Sequence, residues 1–145
     1  MLHAEHTVIV ARPQQDVFDY LAEGTRNREW RAGVLETSRT SAADGEGATY
    51  RQVLAGPGGQ KFDADYRITA FEPPRRLEFR VTAGPVRPAG VFELSEDGDQ
   101  STRVRFSLDL NPSRLMKLMT PVLARELQRE VTQLDNLKAI LERTP

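Results

Sequence analysis

The sequence predicts an α+β fold in which a curved, mostly antiparallel sheet packs against one long carboxy-terminal helix. The last 34 residues, 112–145, read as a single amphipathic helical segment. Before it come about a hundred residues of short alternating strands, separated by turn-forming residues. A helix of this length cannot bury its apolar stripe alone, so we expect the sheet to be its partner. We also expect a hydrophobic cavity between them, with the helix as its wall.

Composition places the chain among soluble globular proteins and excludes several classes of function. The 145 residues predict a single domain, 1–145, with 39% hydrophobic and 28% charged residues. The net charge is −1 and no basic tract occurs, so we expect no nucleic-acid partner. The absence of cysteine excludes disulfides, thiolate metal sites and cysteine nucleophiles. Without a signal-like amino terminus or a membrane-length apolar run, we expect a cytoplasmic protein with no stable membrane insertion.

The first elements are a strand and two short helices. β-Branched residues at 6–10 predict the opening strand. Pro13 suits the first turn of a helix that Gly24 ends. Residues 25–30 predict a second short helix, with Trp30, the only tryptophan, at its exit.

The middle of the chain predicts a meandering sheet, for about six or seven strands in total. Alternation of apolar and polar residues is clearest at 62–69 and 104–110. The prolines Pro85 and Pro88 near the start of 86–94 suggest an edge strand or a bulge, because proline cannot donate to a ladder. Further strands are expected at 34–39, 48–55 and 77–81.

The closing helix begins after Asn111-Pro112, a suitable cap and first-turn pair. Pro121 removes an intrahelical donor, so we expect a break or kink there. Beyond it, one apolar arc predicts the face that meets the sheet: Leu123, Leu127, Val131, Leu134, Leu137 and Leu141.

Four stretches resemble a known superfamily in the right order: 10–18, followed by Trp30, then 47–51, 70–79 and 137–142. The chain resembles the START-like (SRPBCC) superfamily, and more narrowly its polyketide cyclase/dehydrase-type branch. The resemblance implies the helix-grip (Bet v 1-like) fold, in which the sheet, two short helices and a long terminal helix enclose a cavity. Members bind lipids, sterols, polyketides or plant hormones, some cyclise or dehydrate polyketides, and others are co-chaperones or bind ribosomes. They share no catalytic motif, so no catalytic residue is carried over.

Histidines and paired carboxylates give little sign of catalysis. His3 and His6, the only histidines, point to opposite faces of a strand, so we expect no metal site and no Ser-His-Asp triad. Asp63 and Asp65 share a strand face with arginine neighbours and are expected on the solvated side. We expect no cofactor.

Glu130 falls inside the apolar arc of the closing helix. A lone carboxylate in a dry core is strongly unfavourable and would be neutralised or paired. Two interpretations stay open: Glu130 faces a wet cavity or its mouth, or the helix rolls so that it reaches solvent beside Arg129.

The ligand-lining candidates are mostly aromatic, although at least half of them are expected to be ordinary core. The hydroxyls of Tyr50 and Tyr66, and Gln52 if its strand presents it inward, would contact polar atoms of a ligand. Methionines near the helix start suit an adaptable apolar wall. The candidates are Trp30, Tyr50, Gln52, Phe62, Tyr66, Phe79, Phe92, Phe106, Met116, Met119 and Glu130.

The leading hypothesis is non-catalytic binding of a small hydrophobic molecule, such as a lipid, polyketide or aromatic metabolite. The alternative is a cyclase or dehydratase in which Tyr50, Tyr66 or Glu130 moves protons. A third is a protein-interaction module of the co-chaperone type. Exposed strand edges or the Pro121 region leave a homodimer open. A tightly filled interior would leave only a docking surface.

Overall fold

The computed structural model describes residues 1–143 as a sheet with short helices on one side. Three 3₁₀ turns (Gly24–Arg26, Pro57–Gly59 and Leu115–Met119) accompany helices α1 (Gln14–Ala22), α2 (Asn27–Trp30), α3 (Thr120–Thr132) and α4 (Leu134–Arg143). The strands are β1 (Leu2–Val10), β2 (Val34–Arg39), β3 (Thr49–Ala55), β4 (Lys61–Asp63), β5 (Tyr66–Glu72), β6 (Arg76–Val81), β7 (Ala89–Glu96) and β8 (Thr102–Leu110).

Seven strands form one antiparallel sheet in the order β1–β8–β7–β6–β5–β3–β2, and the short β4 pairs with β3. The α+β prediction is therefore confirmed. β1 pairs with β8 from Leu2 opposite Leu110 to Val10 opposite Thr102, so the opening strand is longer than predicted. Along β8 the inward residues Val104, Phe106 and Leu108 are buried, as the period of two requires.

Two strand predictions need correction. The strand predicted at 62–69 divides at Ala64–Asp65, where the Asp65 carboxylate accepts the backbone N–H of Gln52 at 3.2 Å. The segment predicted as an edge or bulge contains β7, which lies between β6 and β8. Pro85 and Pro88 precede that strand, so neither removes a ladder donor from it.

The terminal helix is divided differently from the prediction. Pro121 lies in the first turn of α3, where a backbone N–H has no intrahelical acceptor, so proline costs no helical hydrogen bond there. The change from 3₁₀ to α-helix comes just before it, between Met119 and Thr120. The interruption within the α-helical part falls at Gln133, whose side-chain oxygen accepts the N–H of Ala32 at 3.2 Å. Asn136 donates to the carbonyl of Trp30 at 3.0 Å. These two amides tie the helix to the chain after α2. Residues 144 and 145 of the predicted segment lie outside the described residues.

The apolar arc predicted for the closing helix is confirmed. All six of its members are buried: Leu123, Leu127, Val131, Leu134, Leu137 and Leu141. They join the inward residues of the strands in one hydrophobic core. Within residues 1–143, no helix has the length and apolar character needed to cross a membrane.

Candidate ligand site

Aromatic rings fill the concave face of the sheet. The Trp30 ring meets the rings of Phe92 and Phe106 edge-on, with both centroid distances at 6.0 Å. Phe92 and Phe106 stack on each other at 4.3 Å. Trp30 is 2% exposed, and its indole N–H has no hydrogen-bond partner among the described residues. The middle of the interior is therefore a close-packed aromatic cluster.

Two tyrosines extend this cluster towards the turn after α1. The rings of Tyr50 and Tyr66 stack with centroids 4.9 Å apart. Gly24 lies directly over them: a Cβ there would collide with the Tyr66 hydroxyl and come within 2.6 Å of Tyr50 Cε2. The missing side chain of Gly24 is what allows the backbone to approach both rings.

A buried polar group borders the tyrosine pair. The side-chain amide of Asn27 donates to Gln52 Oε1 at 3.1 Å and to the Tyr66 hydroxyl oxygen at 3.0 Å. Asn27 and Gln52 are both buried. Because Asn27 is the donor, the hydroxyl hydrogen of Tyr66 is not used in this bond.

Arg31 and Glu130 form an ion pair beside that group. Arg31 Nε and Nη2 approach Glu130 Oε1 at 2.7 and 2.6 Å. Arg31 is only 6% exposed, whereas the Glu130 side chain is 27% exposed. The guanidinium also lies 6.0 Å from the centroid of the Trp30 ring. The carboxylate that the sequence left between two interpretations is therefore partly buried and paired with a buried cation.

A small cavity lies where these groups meet. It has about 10 Å³ of room for a water-sized sphere, about enough for one water molecule. Its wall comes from the α1–α2 segment and from strands β5, β6 and β7. The lining residues are Leu21, Ala22, Gly24, Asn27, Arg31, Tyr66, Ile68, Leu77, Phe79 and Phe92.

This finding corrects the expected cavity in both place and size. Among the described residues, none that lines it comes from α3 or α4, so the terminal helix closes the core without being the wall of the cavity. The aromatic side chains that were expected to line a hollow instead occupy most of it.

The predicted site residues divide into two groups. Tyr66, Phe79 and Phe92 line the cavity, and four others contact those residues or the polar group: Trp30, Tyr50, Gln52 and Phe106. The remaining four neither line the cavity nor belong to the aromatic cluster or the Asn27 group around it: Phe62, Met116, Met119 and Glu130.

Each of the four lies elsewhere for a structural reason. Phe62 is on β4 and packs over Gly56, and Met116 packs partly buried against the core. Met119 is 50% exposed. Glu130 reaches the cavity only through Arg31. Sequence reasoning missed Asn27 and Arg31, because the four-residue helix α2 is too short to show an inward face.

The tyrosines in this site are held in their protonated form. Burial is the main cause that raises the pKa of Tyr66, and the neighbouring Tyr50 raises it further. Burial likewise raises the pKa of Tyr50. Both phenols are therefore hydrogen-bonding groups and not bases near neutral pH.

A larger concavity of about 340 Å³ lies elsewhere, beside β6, β7 and β8. Four arginines contribute to it, but each has a carboxylate partner. Examples are Arg76 with Glu78 at 2.9 Å and Arg103 with Asp97 at 3.4 Å. A groove of matched charges offers little to an apolar ligand.

Metal-binding groups do not converge in the part of the chain that the structure describes. No cluster of three or more His, Cys, Asp or Glu side chains suited to a metal occurs there. His3 pairs with Asp109 at 2.7 Å and His6 with Asp135 at 2.8 Å, on different parts of the surface.

The family model described as polyketide cyclase / dehydrase and lipid transport matches residues 1–142. The chain belongs to this family. No curated protein matches the sequence.

Solved structures of low sequence identity share the whole fold. The protein TTHA0849 of Thermus thermophilus is 15% identical with a TM-score of 0.82, and 99% of each chain is covered. A START superfamily protein of Mycobacterium smegmatis is 14% identical with a TM-score of 0.78, again over 99% of both chains. The di-domain ARO/CYC protein StfQ of the steffimycin biosynthetic pathway is 20% identical with a TM-score of 0.71, covering 96% of this chain and 44% of StfQ. These likenesses establish the fold.

Proposed function

We propose that the protein binds a small apolar molecule carrying a polar oxygen group, in the space between the α1–α2 segment and strands β5–β7. The observation that carries the proposal is the two-sided lining of the cavity. Leu77, Phe79 and Phe92 provide an apolar side, and Asn27 with Arg31 provides a polar one. Apolar contact supplies the affinity and a few fixed polar groups set the orientation, as in most small-molecule sites.

The polar end suits a carboxylate, an enol or a phenol. The buried Arg31 guanidinium carries a full charge and five N–H donors, of which the Glu130 contact engages only part. The Tyr66 hydroxyl hydrogen adds a neutral donor, held protonated because burial raises its pKa. A ligand oxygen at this end would accept from both. The family description, which includes lipid transport and polyketide cyclisation, supports a ligand of this amphipathic kind.

By the criterion set from the sequence, an interior as full as this one would leave only a docking surface, so ligand binding in this proposal requires the interior to open. The closed form has room for about one water molecule, far less than a lipid or polyketide needs. The cover over the strands is the end of α1, at Leu21 and Ala22, with Gly24 of the 3₁₀ turn that follows it. Movement of this turn away from Tyr50 and Tyr66 would enlarge the cavity without unpairing a strand.

The experiment combines a ligand panel with a variant that disturbs the cover of the cavity. Fatty acids, lysolipids and polycyclic phenols are titrated while the emission of Trp30, the only tryptophan, and the melting temperature are followed. A ligand at about 100 times its dissociation constant stabilises the fold by about 2.7 kcal/mol, which gives a clear thermal shift. Gly24→Ala adds a methyl group that keeps the turn from packing back over the tyrosine rings, so a bound ligand loses its cover and binding should weaken at least about tenfold.

Gly33→Ala is the matched control, because the nearest atom to its added Cβ is the Ala55 carbonyl oxygen at 4.0 Å. It should bind like the parent protein. The proposal fails if no member of the panel changes either signal, or if Gly24→Ala folds and binds every ligand as well as Gly33→Ala does.

The cyclase or dehydratase alternative has weaker support in the geometry. It needs a base, and raised pKa values keep Tyr50 and Tyr66 protonated. The carboxylate of Glu130 is engaged by Arg31 and does not line the cavity. The arrangement therefore favours holding and orienting a ligand over removing a proton from it.

A further inference from the structure

An apolar surface remains uncovered at the start of the terminal helix. Leu115 is 88% exposed and Leu118 is 93% exposed, with Met119 at 50% and Val122 at 45%. Leu115 and Leu118 are three residues apart on the 3₁₀ turn, and Met119 and Val122 are three residues apart where α3 begins. Met116 and Leu123 point away from these four side chains and pack against the core. Exposed apolar side chains grouped in this way mark an interaction surface.

The charged residues of the segment 111–125 are all positive. Arg114, Lys117 and Arg125 are exposed, and none has an ion-pair partner among residues 1–143. No acidic residue occurs from Asn111 to Arg125. The first one beyond, Glu126, lies 3.7 Å from Arg129. We call the four apolar and three cationic side chains the amphipathic patch: Arg114, Leu115, Lys117, Leu118, Met119, Val122 and Arg125.

We propose that the amphipathic patch docks the protein reversibly onto an anionic lipid surface. Apolar side chains flanked by lysine and arginine suit the boundary between acyl chains and negatively charged headgroups. The patch is too short to span a bilayer, so the contact is peripheral. This inference does not depend on whether the interior takes a ligand.

The positive charge of the amphipathic patch favours an anionic membrane over a second copy of the chain as its partner. In a two-fold dimer the same surface meets itself, so Arg114, Lys117 and Arg125 would be brought close to the same three cations of the other copy. The next carboxylate along the helix, Glu126, already pairs with Arg129 at 3.7 Å. An anionic membrane avoids the repulsion between like charges, and each cation near such a surface raises binding about fivefold.

The experiment measures co-flotation of the full chain with phosphatidylcholine vesicles that do or do not contain roughly a third phosphatidylglycerol. Binding should require the anionic lipid and weaken as salt is raised. Leu115→Ser/Leu118→Ser should lower partitioning at least about tenfold, because two exposed leucines no longer leave water. Arg114→Gln/Lys117→Gln should lower it about 25-fold at low salt.

The control is Arg51→Gln/Arg67→Gln, which changes the net charge equally at exposed positions on β3 and β5. It should change partitioning less than about twofold. Equal melting temperatures show that all variants are folded. Absence of binding at low salt, equal binding to neutral vesicles, or equal loss in the control would each overturn the proposal. A dimer that Leu115→Ser/Leu118→Ser dissociates, without vesicle binding, would also overturn it and assign the patch to a second copy.

Discussion

The surroundings of Arg31 and the amphipathic patch reverse the usual arrangement of a globular protein. Around Arg31, charged and polar groups are buried beneath aromatic rings. At Leu115 and Leu118, large apolar side chains stand almost fully in solvent. Burying a charge and exposing a leucine both cost free energy relative to the reverse. Each region therefore needs a reason that local sequence preference does not supply.

The two regions differ in whether their side chains have interaction partners within the protein. The buried region is nearly complete in itself, since Glu130 pairs with Arg31 and Asn27 reaches both Gln52 and Tyr66. The exposed region is incomplete, since its cations and its leucines have no counterpart among the described residues. The few donors left over in the interior, on Arg31 and the Tyr66 hydroxyl, are those a guest would use, whereas the exposed patch as a whole is typical of an interaction surface.

The largest expected difference between the regions is in stability after truncation. Phe106→Ala should lower the free energy of unfolding by about 3–5 kcal/mol, because it leaves a cavity among rings that are fully buried. Leu118→Ala should change it by less than about 0.5 kcal/mol, because the side chain is already in water. Urea unfolding followed by Trp30 fluorescence measures both. Comparable losses in the two variants would mean that the patch is covered in solution.

A smaller effect tests whether the buried charge needs its partner. Glu130→Gln should cost about 2–3 kcal/mol, less than for a fully buried pair because Glu130 is partly exposed. Combining it with Arg31→Met should cost at least about 1 kcal/mol less than the sum of the single changes, in a double-mutant cycle of urea midpoints.

Glu126→Gln is the control on the same helix, since that carboxylate and its partner Arg129 are both exposed. It should stay within about 0.5 kcal/mol of the parent. Additive costs in the Arg31 cycle would contradict coupling between Arg31 and Glu130.

The smallest effect is a pH dependence at the surface. The hydrogen bond to Asp109 is the main cause that raises the pKa of His3 above 6.5 in the folded state. The stabilisation is then fully present below about pH 6.5 and is lost as the pH rises through the folded-state pKa. Because His3 and Asp109 are well exposed, the difference between parent and His3→Gln should be under about 1 kcal/mol. A difference that grows with rising pH would contradict the pairing.

The hydrophobic periodicity of the sequence correctly predicted which residues of most elements point into the core. The alternation along β8 and the arc from Leu123 to Leu141 depend only on backbone geometry, which is local. The same reasoning failed where the helical repeat changes. Residues 115–119 form a 3₁₀ turn with a different rotation per residue, so Met119 faces solvent instead of the expected cavity.

The polar members of the site show a second reason for failure. Tyr66 was predicted from its inward phase on a strand, but Asn27 lies in the four-residue α2 and Arg31 directly after it, with too few residues to show a face. Their positions depend on Gln133 and Asn136, which hold the helix pair against the chain around Trp30. Contacts between segments a hundred residues apart have no signature in local spacing.

The chain alone determined that an antiparallel sheet would bury one side of a terminal helix, because hydrophobic period and turn chemistry act between neighbouring residues. Tertiary structure decided how much space was left between those layers. The volumes of Trp30, Phe92 and Phe106 and the approach allowed by Gly24 combine only when the elements pack. Packing density in a core is a property of all these side chains together, so no single stretch of sequence reveals it.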